Sequence, residues 1–277
     1  MSKKRFLQMV LLGIKQFKDP YYQGVAAQLA FYFLLSIFPT LIVLSQLLGL
    51  FSISLEVIGE LINEYVDEDV VEILLGFIDY SPTGAMNVSF IIVALWSASK
   101  VQFSLIRIAN YTITDGQSTG GGYFRDRLKA IKTILFTLFT ITFALIILVY
   151  GEPILRLALS TIDRSLDVVY EIDNLLLLLR WPLALGLYFI MVSYNYYALP
   201  SQKVKFKEIL PGSIFASTGM LLVTVLYSTY TTYVANFDII YGSLATVVAL
   251  MFWFFFLSWA LVLGVLFNKV YLDTRDI

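Results

Sequence analysis

Two residue types are missing from the 277-residue sequence, which contains neither cysteine nor histidine. Their absence excludes disulfide bonds, thiolate and imidazole catalysis, and the commonest ligands of zinc sites. Charge is also scarce, because Asp, Glu, Lys and Arg make up 14% of the chain, whereas a soluble domain has about 25%. With 59% hydrophobic residues and a mean hydropathy of +0.80, the sequence excludes an ordinary water-soluble globule. It offers no catalytic residue, metal site or cofactor motif, and its net charge of −1 gives no reason to expect a nucleic-acid partner.

Long apolar runs are what the sequence has in abundance, each close to the roughly 20 residues that a helix needs to cross a bilayer. The runs are continuous rather than alternating, which favours helices over the strands of a membrane barrel. We therefore predict an all-α, single-domain integral membrane protein over residues 1–277, with six transmembrane helices. Their predicted bounds are about 24–51, 87–109, 131–151, 175–199, 209–233 and 242–269.

The distribution of lysine and arginine predicts the orientation of these helices. Basic residues concentrate before the first helix, between the second and third, between the fourth and fifth, and after the sixth. The opposite loops hold only Arg156 and Arg164, together with most of the acidic residues. Because Lys and Arg are enriched in cytoplasmic loops, both termini are predicted to be cytoplasmic.

Two further segments are predicted to lie along the membrane surface. Residues 3–18 carry apolar side chains at helical spacing among basic residues, which is typical of an interfacial helix on an anionic inner leaflet, and Pro20 is expected to end this helix. Residues 55–79 carry a glutamate at every fourth position from Glu56 to Glu64, which predicts an acidic amphipathic helix on the outer surface. The apolar stripe of the first segment consists of Phe6, Val10, Ile14 and Phe17.

The first transmembrane helix carries a polar stripe, with residues at successive steps of four. Pro39 lacks an N–H and frees the carbonyl of Leu35, so that a kink is expected there. At membrane depth the freed carbonyl needs a partner from protein or from water in a cavity. A kinked helix that only packs is an equal alternative. The stripe consists of Gln28, Tyr32, Ser36 and Thr40.

Lys100 interrupts the apolar run of the second helix, while no predicted helix interior contains Asp or Glu. A lysine at this depth either extends to the interface or faces a bundle interior or wet cavity, and both readings stay open. In the second case, an ammonium among neutral neighbours leaves room for an anionic ligand or lipid headgroup. The candidate ligand-binding residues are Lys100, Ser36, Tyr32, Gln28, Ser97, Ser104, Arg107, Asn195 and Asn268.

Four segments resemble the YihY/BrkB family of bacterial inner-membrane proteins: AAQLAFYFLLSIFP, LWSASK, LPGSIFAS, and the run from Tyr241 to Asn268. The resemblance implies six helices and a location in the bacterial plasma membrane, without a settled activity. Members often end the sixth helix with Gly-x-Glu-x-Asn; here Gly264 and Asn268 match, but Leu266 replaces the glutamate. A mechanism that rests on this carboxylate is therefore not expected. The small residues of the fifth helix, Gly212, Ala216 and Gly219, predict a close approach between helices.

The family has also carried the label ribonuclease BN, but the residues do not favour this chemistry. Phosphodiester hydrolysis usually needs clustered carboxylates or histidines that hold metals, whereas the acids predicted on the cytoplasmic side are scattered. The glycine-rich segment 116–127 lacks the Gly-Lys-Ser/Thr ending of a phosphate loop and is predicted to be a flexible loop. We expect a protein that is not an enzyme.

Three functions remain open on the sequence alone. The leading hypothesis is a transporter-like protein with a cytoplasm-facing polar cavity for an anionic or amphiphilic solute. The second is lipid translocation or lipid handling at the inner leaflet, and the third is a non-transporting scaffold. A cavity open sideways to lipid would favour the second, and a tightly packed apolar centre the third. The expected partners are membrane lipids, the unidentified solute and further copies of the chain.

Overall fold

The computed structural model describes residues 3–49, 85–162, 168–233 and 245–275, and within them the protein is helical. Helices α2 to α7 overlap the six predicted transmembrane helices, and α1 overlaps the predicted interfacial segment. The predicted acidic helix at 55–79 lies outside the described residues. The helices are α1 (Lys3–Phe17), α2 (Pro20–Gly49), α3 (Ala85–Ile113), α4 (Tyr123–Ile162), α5 (Val168–Ala198), α6 (Phe206–Tyr233) and α7 (Ala245–Asp273).

The length and composition of these helices make the chain a multi-pass membrane protein. Ile91–Ile113, Phe206–Tyr230 and Val247–Asp273 are each long and apolar enough to cross a bilayer. Helix α2 joins them if its two bent halves form one span. Within the described ranges, three or four of the six predicted spans are therefore supported, and the others stay predictions.

Helices α2 to α7 close into a ring. Each packs against the next in chain order, and α7 packs against α2, while α1 lies outside the ring on α7. The tightest seams are those between α6 and α7 and between α2 and α3. The core along the inner faces includes Leu29, Ile106 and Val262, all fully buried.

The start of α2 is fixed by a capping residue. The Oδ1 atom of Asp19 accepts a hydrogen bond from the Tyr21 N–H at 2.9 Å, and Pro20 occupies the first helical position, which needs no N–H. The Oδ2 atom of Asp19 accepts a second bond from the Tyr111 hydroxyl at 2.8 Å, near the end of α3. Helix α1 ends at Phe17, just before Pro20 as predicted, and Pro20 in turn begins α2.

Several basic side chains tie other helix ends to this same end of the ring, which we call the basic end. The Nζ atom of Lys269, near the end of α7, lies 3.1 Å from Asp115 and 3.0 Å from Asp273. The Nζ atom of Lys129, near the start of α4, donates to the Pro200 carbonyl at 2.6 Å. If successive helices run in alternating directions, these same helix ends are expected to lie together.

The segment 116–127 is held by its own hydrogen bonds, which differs from the flexible loop that the sequence predicts. Gly116 has a φ of +82°, a conformation that favours glycine, and its N–H donates to the Tyr111 carbonyl at 2.8 Å, which closes the end of α3. The N–H of Gly121 donates to the buried carboxylate of Asp126 at 3.0 Å. The loop therefore fixes where α4 begins relative to α3.

Helix α2 is bent within its length. The axes of Pro20–Ile37 and Pro39–Leu48 differ by 51°. The bend lies where the missing N–H of Pro39 predicts a kink, since a proline inside a helix removes one backbone bond and its ring displaces the preceding turn.

Candidate functional site

A cation is buried between α3 and α4. Arg127, in the second turn of α4, is only 5% exposed. Its guanidinium carbon lies 4.1 Å from the centre of the Trp96 ring and 5.7 Å from that of Phe103. Its Nη2 atom donates a hydrogen bond to the Trp96 carbonyl oxygen. Among the described residues it forms no ion pair with a carboxylate, so aromatic faces and one carbonyl hold this charge.

Lys100 lies on the same part of α3 as the rings that hold Arg127. It is half-buried, one turn after Trp96 and three residues before Phe103. Helical geometry therefore places it on the face beside the Arg127 guanidinium. Lys100 makes no hydrogen bond or ion pair within the part of the chain that the structure describes. Lys100 and Arg127 thus lie toward the same face of α3, and neither is paired with a carboxylate of the described chain.

The polar stripe of α2 reaches the same place. The Tyr32 hydroxyl accepts a hydrogen bond from Gln28 Nε2 at 3.1 Å. The Tyr32 hydroxyl also lies in the neighbourhood of the Arg127 guanidinium. Helices α2, α3 and α4 therefore contribute a hydroxyl, an amide and two cations to one cluster, which we call the cationic cluster: Gln28, Tyr32, Lys100 and Arg127. Charge-assisted donors of this kind suit a carboxylate or phosphate.

The three predicted serines differ in burial and in whether their hydroxyl groups form hydrogen bonds. Ser36 is buried, and its hydroxyl donates to the Phe33 carbonyl within its own helix at 3.0 Å. Ser104 is 2% exposed, and its hydroxyl has no partner among the described residues. Ser97 is half-buried on α3. Of the three, only Ser104 combines burial with an unused hydroxyl.

Two other predicted residues, Arg107 and Asn195, differ in their exposure. Arg107 is exposed near the end of α3. Asn195 is buried on α5, where its Nδ2 atom donates to the Met191 carbonyl at 2.7 Å while its Oδ1 atom has no partner in the described chain. Arg107 therefore reads as a surface charge, whereas Asn195 keeps one free acceptor.

Asn268 makes its contact at the packing of α6 on α7, and its predicted role in ligand binding stays a prediction. Its Oδ1 atom accepts a hydrogen bond from the Gly212 N–H at 2.6 Å. It lines a cavity of about 150 Å³ together with Ala109, which follows Lys100 by nine residues. Nine residues place Ala109 about 13 Å further along α3 and on its opposite side. Asn268 thus joins α6 to α7, and the part of α3 that lines its cavity lies about three turns from Lys100.

Gly212 and Gly264, each in one of the segments that resemble the family, lie where α6 packs closely on α7. A Cβ atom on Gly212 would overlap the carbonyl oxygen of Gly264, and one on Gly264 would overlap the Tyr196 hydroxyl and lie 2.6 Å from the Ala216 Cβ. The Tyr196 hydroxyl itself donates to the Leu261 carbonyl at 2.6 Å. The prediction that small residues permit close helix packing here is therefore confirmed.

Sequence reasoning missed Arg127 because it counted this residue among the basic loop charges. The available signal was periodicity. Buried positions of α4 recur at Ala130, Ile134 and Leu138, and the same stripe continues back to Arg127. No three acidic side chains of the described ranges lie close enough together to share a metal ion.

Comparison with known proteins identifies one family whose model matches most of the chain. The family described as Virulence factor BrkB matches residues 14–276. A Bacillus subtilis (strain 168) protein named "Putative ribonuclease-like protein YfkH" is 31% identical over 248 residues, which cover 87% of this chain and 87% of that protein.

Shorter similarities link the chain to proteins named as membrane proteins. A UPF0761 membrane protein of Chromohalobacter salexigens is 36% identical over 81 residues, 29% of this chain and 20% of that protein. The UPF0761 membrane protein PSHAa0171 of Pseudoalteromonas translucida is 34% identical over 68 residues, 24% of this chain and 22% of that protein. No solved structure matches the chain significantly.

Proposed function

Since the chain belongs to the BrkB family of membrane proteins, we propose that it is a transporter-like protein for an anionic or amphiphilic solute. The solute would meet the cationic cluster from the cytoplasmic side, with both termini on that side. Lys100 and Arg127 would hold its acidic group, and Tyr32 would donate a hydrogen bond to it. No catalytic step is assigned to the cluster, and we propose no enzymatic or ribonuclease activity.

One observation carries this proposal: Arg127 is buried against the face of α3 that also carries Lys100, with no carboxylate partner in the described chain. A buried cation is costly unless it is paired, and structural cations usually acquire an acidic neighbour. Aromatic faces and one carbonyl offset about 2 kcal/mol or somewhat more of this cost. Binding of an anion would offset the rest of the free-energy cost of burying the Arg127 charge.

The test uses dodecyl phosphate, a single-chain anionic amphiphile, added to protein purified in dodecyl maltoside. Dodecyl phosphate should raise the melting temperature of the wild-type protein, because a ligand that binds only the folded state stabilises it. Lys100→Met keeps most of the stem volume and removes the charge, so this variant should fold but lose most of the shift. Arg127→Gln should behave similarly.

Lys132→Gln is the matched control, because Lys132 is exposed on the same helix as Arg127. It should keep the wild-type shift. Equal shifts in Lys100→Met and the wild type would contradict the cationic cluster as the binding site. They would support the alternative in which Lys100 only extends to the interface.

Lipid handling at the inner leaflet is the second candidate. It is favoured by an apolar cavity that lies between α1 and the outer faces of α6 and α7 rather than inside the ring. A lateral cavity suits a molecule that arrives through the membrane. The two candidates separate experimentally, because the cationic cluster and this cavity share no residue.

A further inference from the structure

Helix α1 is fastened to α7 at two places. The Arg5 Nη2 atom donates to the Tyr271 carbonyl at 3.3 Å, and the Arg5 guanidinium carbon lies 4.7 Å from the centre of the Tyr271 ring. At the other end of α1, the Phe17 ring centre lies 5.0 Å from that of Trp259. Twelve residues separate the two contacts on each helix, about 18 Å. The helices therefore run in opposite directions side by side, instead of α1 lying free on the membrane surface.

Between these two contacts an apolar groove lies between α1 and the neighbouring helices. The groove has a volume of about 450 Å³, within the roughly 300–1,000 Å³ typical of ligand sites. One wall is the stripe that sequence reasoning assigned to the membrane surface: Phe6, Val10, Ile14 and Phe17. Each of these side chains remains 40–59% exposed, so the neighbouring helices leave them uncovered.

The opposite wall comes from α6 and α7. Its lining residues include Phe215, Leu263, Leu266 and Val270. Leu266 occupies the position at which members of the YihY/BrkB family often have glutamate. A carboxylate at this position would place a charge against an apolar wall. Leucine instead makes the wall continuously apolar, which suits a hydrocarbon chain.

Gly13 widens the groove in the middle of α1. A Cβ atom added there would meet nothing within 4 Å, in contrast to Gly212, where it would overlap the neighbouring helix. Glycine inside a helix is less favourable than alanine. No protein contact in the described chain requires glycine at this position, so its effect is to leave space in the groove.

The groove has a basic rim. Helix α1 carries Lys3, Lys4, Arg5 and Lys15 and no acidic residue. Lys3 and Lys4 are exposed beside the Arg5–Tyr271 contact, and the exposed Arg275 follows Tyr271 by about one turn of chain. Each such cation near an anionic leaflet is attracted to the negative surface potential of that leaflet.

We propose that this groove binds an acyl chain of an anionic membrane phospholipid, with its phosphate at the Lys3–Lys4 end. The chain is a multi-pass membrane protein, so phospholipid surrounds the groove. A second copy of the protein would fit less well, because a two-fold contact would bring one basic α1 against another. This site deepens the lipid-handling candidate and does not depend on the cationic cluster.

The test fills the groove from Gly13. Gly13→Leu adds a side chain where nothing stands within 4 Å, and Gly186→Leu, on α5, is the matched control with the same open surroundings. Melting temperatures of the full-length protein in detergent are measured with added phosphatidylglycerol, with phosphatidylcholine of the same acyl chains, and with inorganic phosphate. Phosphatidylglycerol should raise the melting temperature of the wild type and of Gly186→Leu, and Gly13→Leu should lose most of this shift.

Two further comparisons separate the parts of the site. Phosphatidylcholine should give a smaller shift than phosphatidylglycerol, and Lys3→Gln with Lys4→Gln should reduce that difference. A full shift in Gly13→Leu, or a full shift with inorganic phosphate alone, would overturn the proposal. So would a dimer in the wild type that Gly13→Leu dissociates, since a second copy would then occupy the groove. Lys100→Met should keep the phosphatidylglycerol shift, so failure of the central site stays distinguishable.

Discussion

At the scale of the residue, one side-chain amide links two neighbouring helices. The Oδ1 atom of Asn268 on α7 accepts a hydrogen bond from the Gly212 N–H of α6, where glycines bring the two helix backbones close together. This buried hydrogen bond contributes to stability mainly because the Gly212 N–H would have little access to water if its acceptor were removed. Asn268 therefore belongs to the architecture of the ring.

Asn268→Leu should destabilise the protein, because it removes this acceptor while roughly conserving volume. The free energy of unfolding should fall by about 1–3 kcal/mol. Denaturation by sodium dodecyl sulfate, followed by circular dichroism, would measure the change. Asn195→Leu is the control and should cost less, because the Asn195 amide bonds only to a carbonyl of its own helix. Wild-type stability of Asn268→Leu would contradict this role.

The residue scale also shows what the sequence could reveal about the site. Lys100 stands out because it interrupts an apolar run, and Gln28 and Tyr32 are found by their spacing. Arg127 is not found in this way, because it adjoins other basic residues whose positions are explained by membrane orientation. Asn268 was placed in the site because depth in the membrane can be read from sequence, whereas the side of the helix that meets a given neighbour cannot.

At the scale of the element, the bend of α2 divides the helix into two arms of unequal length. The longer arm, Pro20–Ile37, carries Gln28 and Tyr32 of the cationic cluster, and the shorter arm begins at Pro39. The bend therefore separates the part of α2 that reaches the cluster from the part beyond it. Its existence follows from one proline, but its angle depends on the packing of the neighbouring helices.

Pro39→Ala should straighten α2, because alanine restores the N–H and removes the ring. Spin labels at Gln23→Cys and Gln46→Cys, both exposed positions, would report the change, since the native chain has no cysteine. A straight helix would hold these positions about 34 Å apart along its axis, and the bend shortens this by about 3 Å. Pro182→Ala in α5 is the control and should leave the distance unchanged. A distance insensitive to Pro39→Ala would show that packing alone bends the helix.

Helix boundaries illustrate the limits of sequence reasoning for elements. The six transmembrane predictions overlap α2 to α7, because apolar runs of this length have few other uses. The start of α2 was placed about four residues late, since Asp19 and Pro20 act together as a cap and first turn, which a hydropathy run does not detect. Helix α1 was predicted as an element, but its attachment to α7 was not, because both contacts join residues far apart in the chain.

At the scale of the whole molecule, successive helix ends meet where the basic side chains concentrate. The contacts of Lys129 and Lys269 join segments far apart in sequence at this end. Such contacts are those expected if neighbouring helices alternate in direction. The assignment of the basic end to the cytoplasm rests on the enrichment of lysine and arginine there.

Single cysteines test this orientation. Gln117 is exposed in the loop at the basic end, and Glu64 and Asp167 lie in the predicted outer loops. In intact cells, a membrane-impermeant thiol reagent should label Glu64→Cys and Asp167→Cys but leave Gln117→Cys unlabelled. Gln117→Cys should react once the membrane is permeabilised, which controls for accessibility. Labelling of Gln117→Cys in intact cells would reverse the predicted topology.

The closed order of the ring has a consequence for biosynthesis. Helix α7 packs against α6, α2 and, less extensively, α3, yet it follows the other described helices along the chain. Until it is inserted, the glycine face of α6 and one side of α2 have only lipid as a neighbour. A ribosome that stalls or terminates before α7 would therefore release an open arc with two unmatched edges, which is a natural substrate for membrane quality-control proteases.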